Sequence, residues 1–467
     1  MERPTDEPST DAKAYPRPRR HSRAVYLRHT VDGEEKVTQI GGGAPVTVQS
    51  MTTSKTHDVE ASLAEIRQLA EAGADVVRVA VPRPEDADAL GAVVRGSPVP
   101  IVADIHFNHK YALMALEAGV AKVRINPGNI GKPEWERAVL RAARDKGVPI
   151  RIGVNGGSLE KDILDKYGYP RPEALVESAM RHIEVCQREG FEDIVVSVKH
   201  SDVFFMIQSY RLLAEQTDFP LHLGVTESGS LKTGPIKSSI GIGSLLADGI
   251  GDTIRVSLAA DSVNEVKIGH QILKALRLGR PGVNVIACPT CGRLAGDLFS
   301  VVDEVEEAVA KKGFDKDLNV ALMGCAVNGP GEAAGADLGV SLGRGRAHVF
   351  KHGEIVTTVD QEQIADAVIH LIENWDEDAD FGTDSPDAAP AIPSASPLRA
   401  AVAGKTISLP PDGTPLPKRP NGKMPTLPPG VPTGKKPSLP PAKPSAEKPA
   451  VPKGKAPTLP PGLPRGT

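Results

Sequence analysis

With 467 residues the chain is too long for one ordinary core, and an apolar content of 40% suits a globular protein with a stretch that does not pack. The formal charge of -4 is unevenly placed: residues 398–467 carry 12 Lys and Arg against Asp412 and Glu447, which leaves about -14 for the remainder. An acidic body of this kind excludes a general binder of nucleic acid or anionic membranes, so an anionic small molecule would need a local cluster of basic side chains.

The amino terminus, "MERPTDEPSTDAKAYPRPRRHSRAV", is charged and broken by proline, without the apolar run of a secretory signal, and residues 1–29 are expected to be a flexible segment. No later run is long and apolar enough to span a bilayer. Four cysteines in a chain of this size are no disulfide framework, so a reducing cytoplasm is expected.

From about residue 46 one plan recurs eight times: a β-branched run, a polar residue at its end, a loop, then a helical pattern. The predicted strands are "VTVQSMT" (46–52), "DVVRVAV" (75–81), "PIVADI" (100–105), "KVRINP" (122–127), "PIRIGVN" (149–155), "DIVVSVK" (193–199), "LHLGVTE" (221–227) and "DTIRVSL" (252–258). Eight such units predict an α/β fold, a (β/α)8 TIM barrel over residues 30–279. A doubly wound open sheet is the alternative that alternation alone leaves open. After the eighth helix the rhythm changes, and "VNVIA", "NVALMG", a hairpin "AHVFKHGEIVTTV" and the amphipathic helix "DQEQIADAVIHLIENW" predict a small α+β domain over residues 280–376. Residues 377–467 hold 23 of the 42 prolines and repeat "SLPP" and "TLPPG", a composition expected to stay disordered and polyproline-like.

In such a barrel chemistry sits where strands end and helices begin. Those ends carry Arg78, Asp104, Arg124 with Asn126, Arg151 with Asn155, Ser197 with Lys199, Glu227, and Arg255 with Ser257. The paired residues share parity along their strands, so each pair faces one side of the sheet and can line one barrel mouth. Several guanidinium groups around one mouth suit a substrate with two or more phosphates, because each fork can bind oxygens bidentately. Asp104 and Glu227 would bind hydroxyls, move protons or hold an arginine. "DIHFNHK" also offers His106 and His109, whose spacing is unlike the usual metal-binding His pair.

"ACPTCGR" places Cys288 and Cys291 at a chelating spacing, and downstream only Cys325, in "GCAVNGPGE", remains. A zinc ribbon lacks its second pair, and a thioredoxin-like motif would not need a third thiol. Three thiolates leave an iron–sulfur cluster one ligand short. Cys186 and Glu332 are the two candidates; Cys186 falls on an apolar helix face, and Glu332 follows a Gly-Pro-Gly turn that can return a carboxylate to the same centre. A carboxylate is a harder, more exchangeable iron ligand than a thiolate and would leave one iron open to substrate oxygen.

The ordered series "VQSMT", "ADIHFN", "VRINPGN", "GVNGGSLEKDILDKYG", "SVKHSDV", "GVTESG", "CPTCGR" and "GCAVNGPGE" resembles the 4-hydroxy-3-methylbut-2-enyl diphosphate synthases of the methylerythritol phosphate route to isoprenoids, over about residues 30–375. The resemblance implies a barrel followed by a [4Fe-4S] domain, with Cys288, Cys291, Cys325 and Glu332 as the cluster ligands and no role for Cys186. It implies reductive ring opening and dehydration of 2-C-methyl-D-erythritol 2,4-cyclodiphosphate, using two electrons from reduced flavodoxin or ferredoxin. Arg78, Arg124, Asn126, Arg151, Asn155, Lys199, Arg255 and Ser257 would hold the diphosphate, with Asp104 and Glu227 at the carbon skeleton. A homodimer sharing each active site between subunits is implied as well. From the residues alone two further readings stand: a zinc-stabilised phospholigand-binding barrel without redox activity, and a metal-assisted lyase centred on His106 and His109.

Overall fold

The computed structural model describes residues 17–375 apart from 107, 126–132, 328 and 334. The tail at 377–467 and Asn126, among the expected substrate contacts, lie outside the described residues. Among the described residues no helix is long and apolar enough to cross a membrane.

The structure begins with an element absent from the sequence reading. Strands β1 (Ala24–Val31) and β2 (Glu34–Gly41) form an antiparallel hairpin turning at Asp32 and Gly33, whose φ angles are 52° and 84°. Asp-Gly is favoured where both turn residues need positive φ. The expectation of a flexible segment through residue 29 is therefore corrected: residues 17–29 are built into the fold. Arg19 Nη2 lies 3.1 Å from Asp252, Arg20 donates to the Thr217 carbonyl at 2.7 Å, Ser22 Oγ donates to Asp252 at 2.7 Å, and Arg23 Nε reaches Asp218 at 2.8 Å. A composition typical of disordered arms is ordered here because its arginines find fixed acceptors on the barrel loops.

The barrel strands are β3 (Thr47–Met51), β4 (Val76–Val81), β5 (Ile101–Ile105), β6 (Lys122–Ile125), β7 (Ile150–Asn155), β8 (Ile194–Lys199), β9 (His222–Leu223) and β10 (Thr253–Ile254). They pair in the order β8-β7-β6-β5-β4-β3-β10-β9, and a parallel bridge between Val196 and Leu221 joins the two ends. This is the expected TIM barrel. β9 and β10 are shorter than the runs 221–227 and 252–258 suggested, because the chain leaves the sheet early, placing Glu227 and Ser257 on rim loops. Helices α1 (Val59–Glu71), α2 (Pro84–Gly96), α3 (His109–Glu117), α4 (Pro133–Lys146), α5 (Lys161–Tyr167), α6 (Pro172–Arg188), α7 (Val203–Gln216), α8 (Gly234–Ala247) and α9 (Ser262–Ala275) surround it. Asp58, Asp202 and Asp261 cap α1, α7 and α9 by accepting from the backbone N–H of Ala61, Phe205 and Val263.

Strand alternation sorts the side chains cleanly. Val77, Val79, Val123, Ile125, Ile152, Val154, Val196, Val198 and Ile254 join the apolar core shared with the helices. Their alternates point into the barrel. At its lower end Val76, Val102, Ala121 and Val195 form a separate cluster with Val25, Leu27 and Ile40 of the hairpin, so the hairpin is a plug.

Beyond α9, strands β11 (Val283–Ala287), β12 (Leu318–Met323) and β13 (Leu338–Leu342) pair in parallel, and β14 (Arg346–Lys351) and β15 (Glu354–Asp360) continue the sheet antiparallel. α10 (Leu298–Lys312) and α12 (Ile364–Glu373) pack on it around a second core that includes Val283, Val305, Val320, Val340 and Ile372, while the short α11 (Gly329–Ala333) lies between β12 and β13. β13, hidden in the Gly-rich "AAGADLGVSLG", was not foreseen as a strand.

Candidate active site

The upper half of the barrel interior is charged rather than apolar. Asp104, Arg124 and Arg151 stand side by side on β5, β6 and β7. Arg124 Nη1 donates to Asp104 at 2.9 Å and its Nη2 donates to the Gly153 carbonyl at 3.2 Å. Arg78 Nη1 approaches the other Asp104 oxygen at 3.7 Å. Burial opposes ionisation of Asp104, yet Arg78, a hydrogen bond from His106 and Arg124 together hold its carboxyl well below the usual range. Asp104 is therefore a fixed anion at resting pH and no ready proton donor. Two inward glycines make room for the bases. A Cβ on Gly153 would lie 2.5 Å from Arg124 Nε, and one on Gly224 would lie 2.7 Å from Lys199 Nζ.

Arg255 takes its orientation from a residue that sequence reasoning missed. Glu265, buried on α9, receives Arg255 Nε at 3.2 Å and Nη2 at 3.3 Å, and also the Ser50 hydroxyl at 3.0 Å. The only available signal was an acid inside the apolar stripe of "NEVKIGHQIL". Met51 Sδ stands 3.1 Å from Arg78 Nε and 3.7 Å from Arg255 Nη1, wedged between two like charges. Burial first, then repulsion from Arg255 and Arg124 against the pull of Asp104, brings Arg78 down to about 10.

Arg151, 1% exposed, has no partner for Nε or Nη1. Lys199 is buried as well, and desolvation followed by Arg151 and Arg255 pushes its amine well below the usual lysine range. Ser197 Oγ is tied to the Ile152 carbonyl at 3.4 Å, and the Ser257 carbonyl accepts from Ser228 Oγ. Asn155 closes the layer, with its amide oxygen 3.2 Å from Arg124 Nη2 once the amide is oriented to satisfy both of its ends. Glu227 is exposed on the loop above β9 with φ of 53°, a strained left-handed conformation for a non-glycine residue. Buried charges without partners cost several kcal/mol each. A cup holding more cations than carboxylates suits a polyanion.

His106 and His109 do not converge on a common point. His106 Nε2 lies 3.0 Å from Arg124 Nη1 and 3.5 Å from Asp104, inside the charged network, whereas His109 stacks on Trp135 with centroids 4.7 Å apart. The lyase reading centred on that pair loses its geometric basis.

Neither Cys288, Cys291 and Cys325 of the second domain nor Cys186 of the barrel is joined in a disulfide. Cys288 and Cys291 follow β11, and Cys325 follows β12, its neighbour in the sheet, so strand pairing brings the two segments together. Arg293 interacts with all three of these thiols and, by its backbone N–H and then its side chain, lowers the exposed Cys291. Ser341 Oγ and the Gly329 N–H both bind the Cys325 carbonyl, at 3.1 Å each, fixing the loop into α11. Glu332 lies exposed in the first turn of that helix. Cys186 belongs to the barrel core, and burial raises its thiol to about 12. Among the described residues no three His, Cys, Asp or Glu groups stand close enough to hold one metal ion. Thiolates on separate corners of a polynuclear cluster stand farther apart than ligands of a single ion, and Cys288, Cys291 and Cys325 gathered around Arg293 fit that arrangement.

Residues 34–270 match the family described as GcpE TIM-barrel domain and residues 284–374 that described as GcpE protein C-terminal domain. A relative from Aquifex aeolicus, named 4-hydroxy-3-methylbut-2-en-1-yl diphosphate synthase (flavodoxin), is 53% identical over 340 residues, covering 73% of this chain and 95% of the relative. A protein of the same name from Geobacter sulfurreducens is 52% identical over 334 residues, 72% and 94% of the two chains. One from Acidothermus cellulolyticus is 48% identical over 390 residues, 82% and 97%. With both domains matched in order and relatives covered almost end to end, the chain belongs to the GcpE family.

Proposed function

We propose that this protein is an oxidoreductase that converts 2-C-methyl-D-erythritol 2,4-cyclodiphosphate to 4-hydroxy-3-methylbut-2-enyl diphosphate. The ring C–O bond to phosphate opens and a hydroxyl leaves as water, with two electrons and two protons balancing the change. The observation that carries the reading is the set of buried, incompletely paired cations in the barrel mouth, led by Arg151, in a member of a family whose relatives bear that activity in their names. Arg78, Arg124, Arg151, Lys199 and Arg255 bind the two phosphates, with Asn155, Ser197 and Ser257 at their edges and Asn126 as a further contact. Asp104 keeps the guanidinium groups oriented, and Glu227, at the lip of the cup, exchanges protons with the carbon skeleton.

Cys288, Cys291, Cys325 and Glu332 would hold a [4Fe-4S] cluster, which when bound supplies the electrons, reduced flavodoxin being the donor that the relatives' names suggest. Residues 280–376 act as the cluster domain and 30–279 as the substrate domain, in a homodimer where one chain's cluster domain caps the other's barrel. Support for pairing comes from apolar side chains left in solvent on both domains, Phe204 and Ile236 at 71% and 62% exposure and Phe299 and Val327 at 65% and 68%.

Anaerobic turnover of the cyclic diphosphate with a chemical reductant tests the reading, with the linear diphosphate as expected product. Protein purified without oxygen should be brown; colourless protein with stoichiometric zinc and no turnover would instead support the phospholigand-binding barrel. Glu332→Cys should keep iron and lose turnover, whereas Cys186→Ala should keep both.

A further inference from the structure

Beneath the arginine layer lies a second polar layer that the reaction above does not use. Lys122, 0% exposed, enters the barrel on β6 beside Val102, at the level of the hairpin plug. Its Nζ has no hydrogen-bond partner, and neither do both amide atoms of the buried Gln49 and Nε2 of the buried His222. Inside the ring, β4, β6, β7 and β8 present Arg78, Arg124, Arg151 and Lys199 above it, and Arg255 follows directly after β10. β5 offers the anion Asp104, already engaged by Arg124 and Arg78, β9 offers His222, and α7 contributes Tyr210, whose hydroxyl is spent on Val198 N–H and the His222 carbonyl. A lysine rooted among these groups has nothing to balance a charge until an anion enters the cup from above. Desolvation, then Arg151 and Arg78, push its amine well below the usual lysine range.

We propose that Lys122 is a positioning residue for the cyclic-diphosphate reaction: it takes one proton from the acid form of the solvent's buffer when the substrate's phosphates enter the mouth, so that binding is coupled to proton uptake. The amine gains H⁺ and becomes an ammonium beneath the phosphates, the buffer acid loses that proton, and no bond of the substrate changes. The floor thus supplies charge only to a ligand that brings charge, and the empty barrel is spared one more unpaired cation. Because it rests on the cyclic-diphosphate reading, the test must separate the two.

Calorimetric titration of the holoenzyme with the cyclic diphosphate at pH 8, in two buffers of different ionisation enthalpy, counts protons directly. Wild type should take up a substantial fraction of one proton per site. Lys122→Met should bind with almost none, with KM raised about tenfold, the effect of one charge at short range in a protein interior, and kcat within about twofold. Lys122→Gln serves the same purpose should the methionine variant fold poorly. His222→Gln should leave the uptake in place. Uptake that persists in both Lys122 variants, or wild type that binds without uptake, overturns the proposal while leaving the substrate assignment intact. A wild-type enzyme that does not bind the cyclic diphosphate overturns the assignment and this inference with it.

Discussion

Both ends of the barrel are rich in arginine, and they use it oppositely. At the closed end Arg19, Arg20 and Arg23 each meet a carbonyl or the carboxylates of Asp252 and Asp218, and the result is a bolt between the hairpin and the barrel loops. At the open end Arg151 and Lys199 lie deeper and have fewer partners, so the fold carries a cost that an anionic ligand would relieve. Pairing, and not residue type or burial alone, separates a cation that holds the structure from one that awaits a substrate.

The sharpest way to break that contrast is Arg151→Met. It should lower kcat/KM by about a thousandfold, in line with loss of a transition-state donor, while thermal stability holds or rises because an uncompensated buried charge has gone. Asp104→Asn should behave differently, costing about 3 kcal/mol in denaturant unfolding along with activity, since it strips Arg124 and Arg78 of their shared anion. At the closed end Asp252→Asn removes an acceptor for Arg19, Ser22 and the Leu221 N–H. A loss of about 1–2 kcal/mol with an unchanged KM at permissive temperature is expected.

The smallest effect belongs to a paired group on the barrel's outside. His182 bridges Glu136 at 3.2 Å and Glu160 at 2.8 Å. Burial lowers its pKa, but the hydrogen bonds to the two carboxylates outweigh that and raise it above 6.5. The folded state therefore holds the proton more tightly than the unfolded chain. Wild type should exceed His182→Gln by about 1 kcal/mol below pH 6.5, and the difference should fade as pH climbs through the raised value. A difference that grows with pH would contradict the bridge.

Much of this architecture was legible in the chain. Period-two runs and Gly-closed helices mark eight barrel units, and parity along each strand puts Arg151 with Asn155 and Ser197 with Lys199 on one side of the sheet. What escaped had weaker local signals. The hairpin carried an Asp-Gly turn, but its strands read "AVYLRHTV" and "EEKVTQIG", too polar to announce a buried face, because only Val25, Leu27 and Ile40 plug the barrel. Glu265 and Met51 act through tertiary proximity, which spacing along the chain does not encode. His106 and His109 entered a metal-lyase alternative only as sequence neighbours of unusual spacing, whereas the contacts of His106 are Asp104, two residues back, and Arg124 on the adjacent strand.

The plug has a consequence for traffic. A tube would let reactants enter at one end and leave at the other; this vessel has a single doorway. Substrate and product therefore share one passage, and product must clear the mouth before the next substrate can enter it.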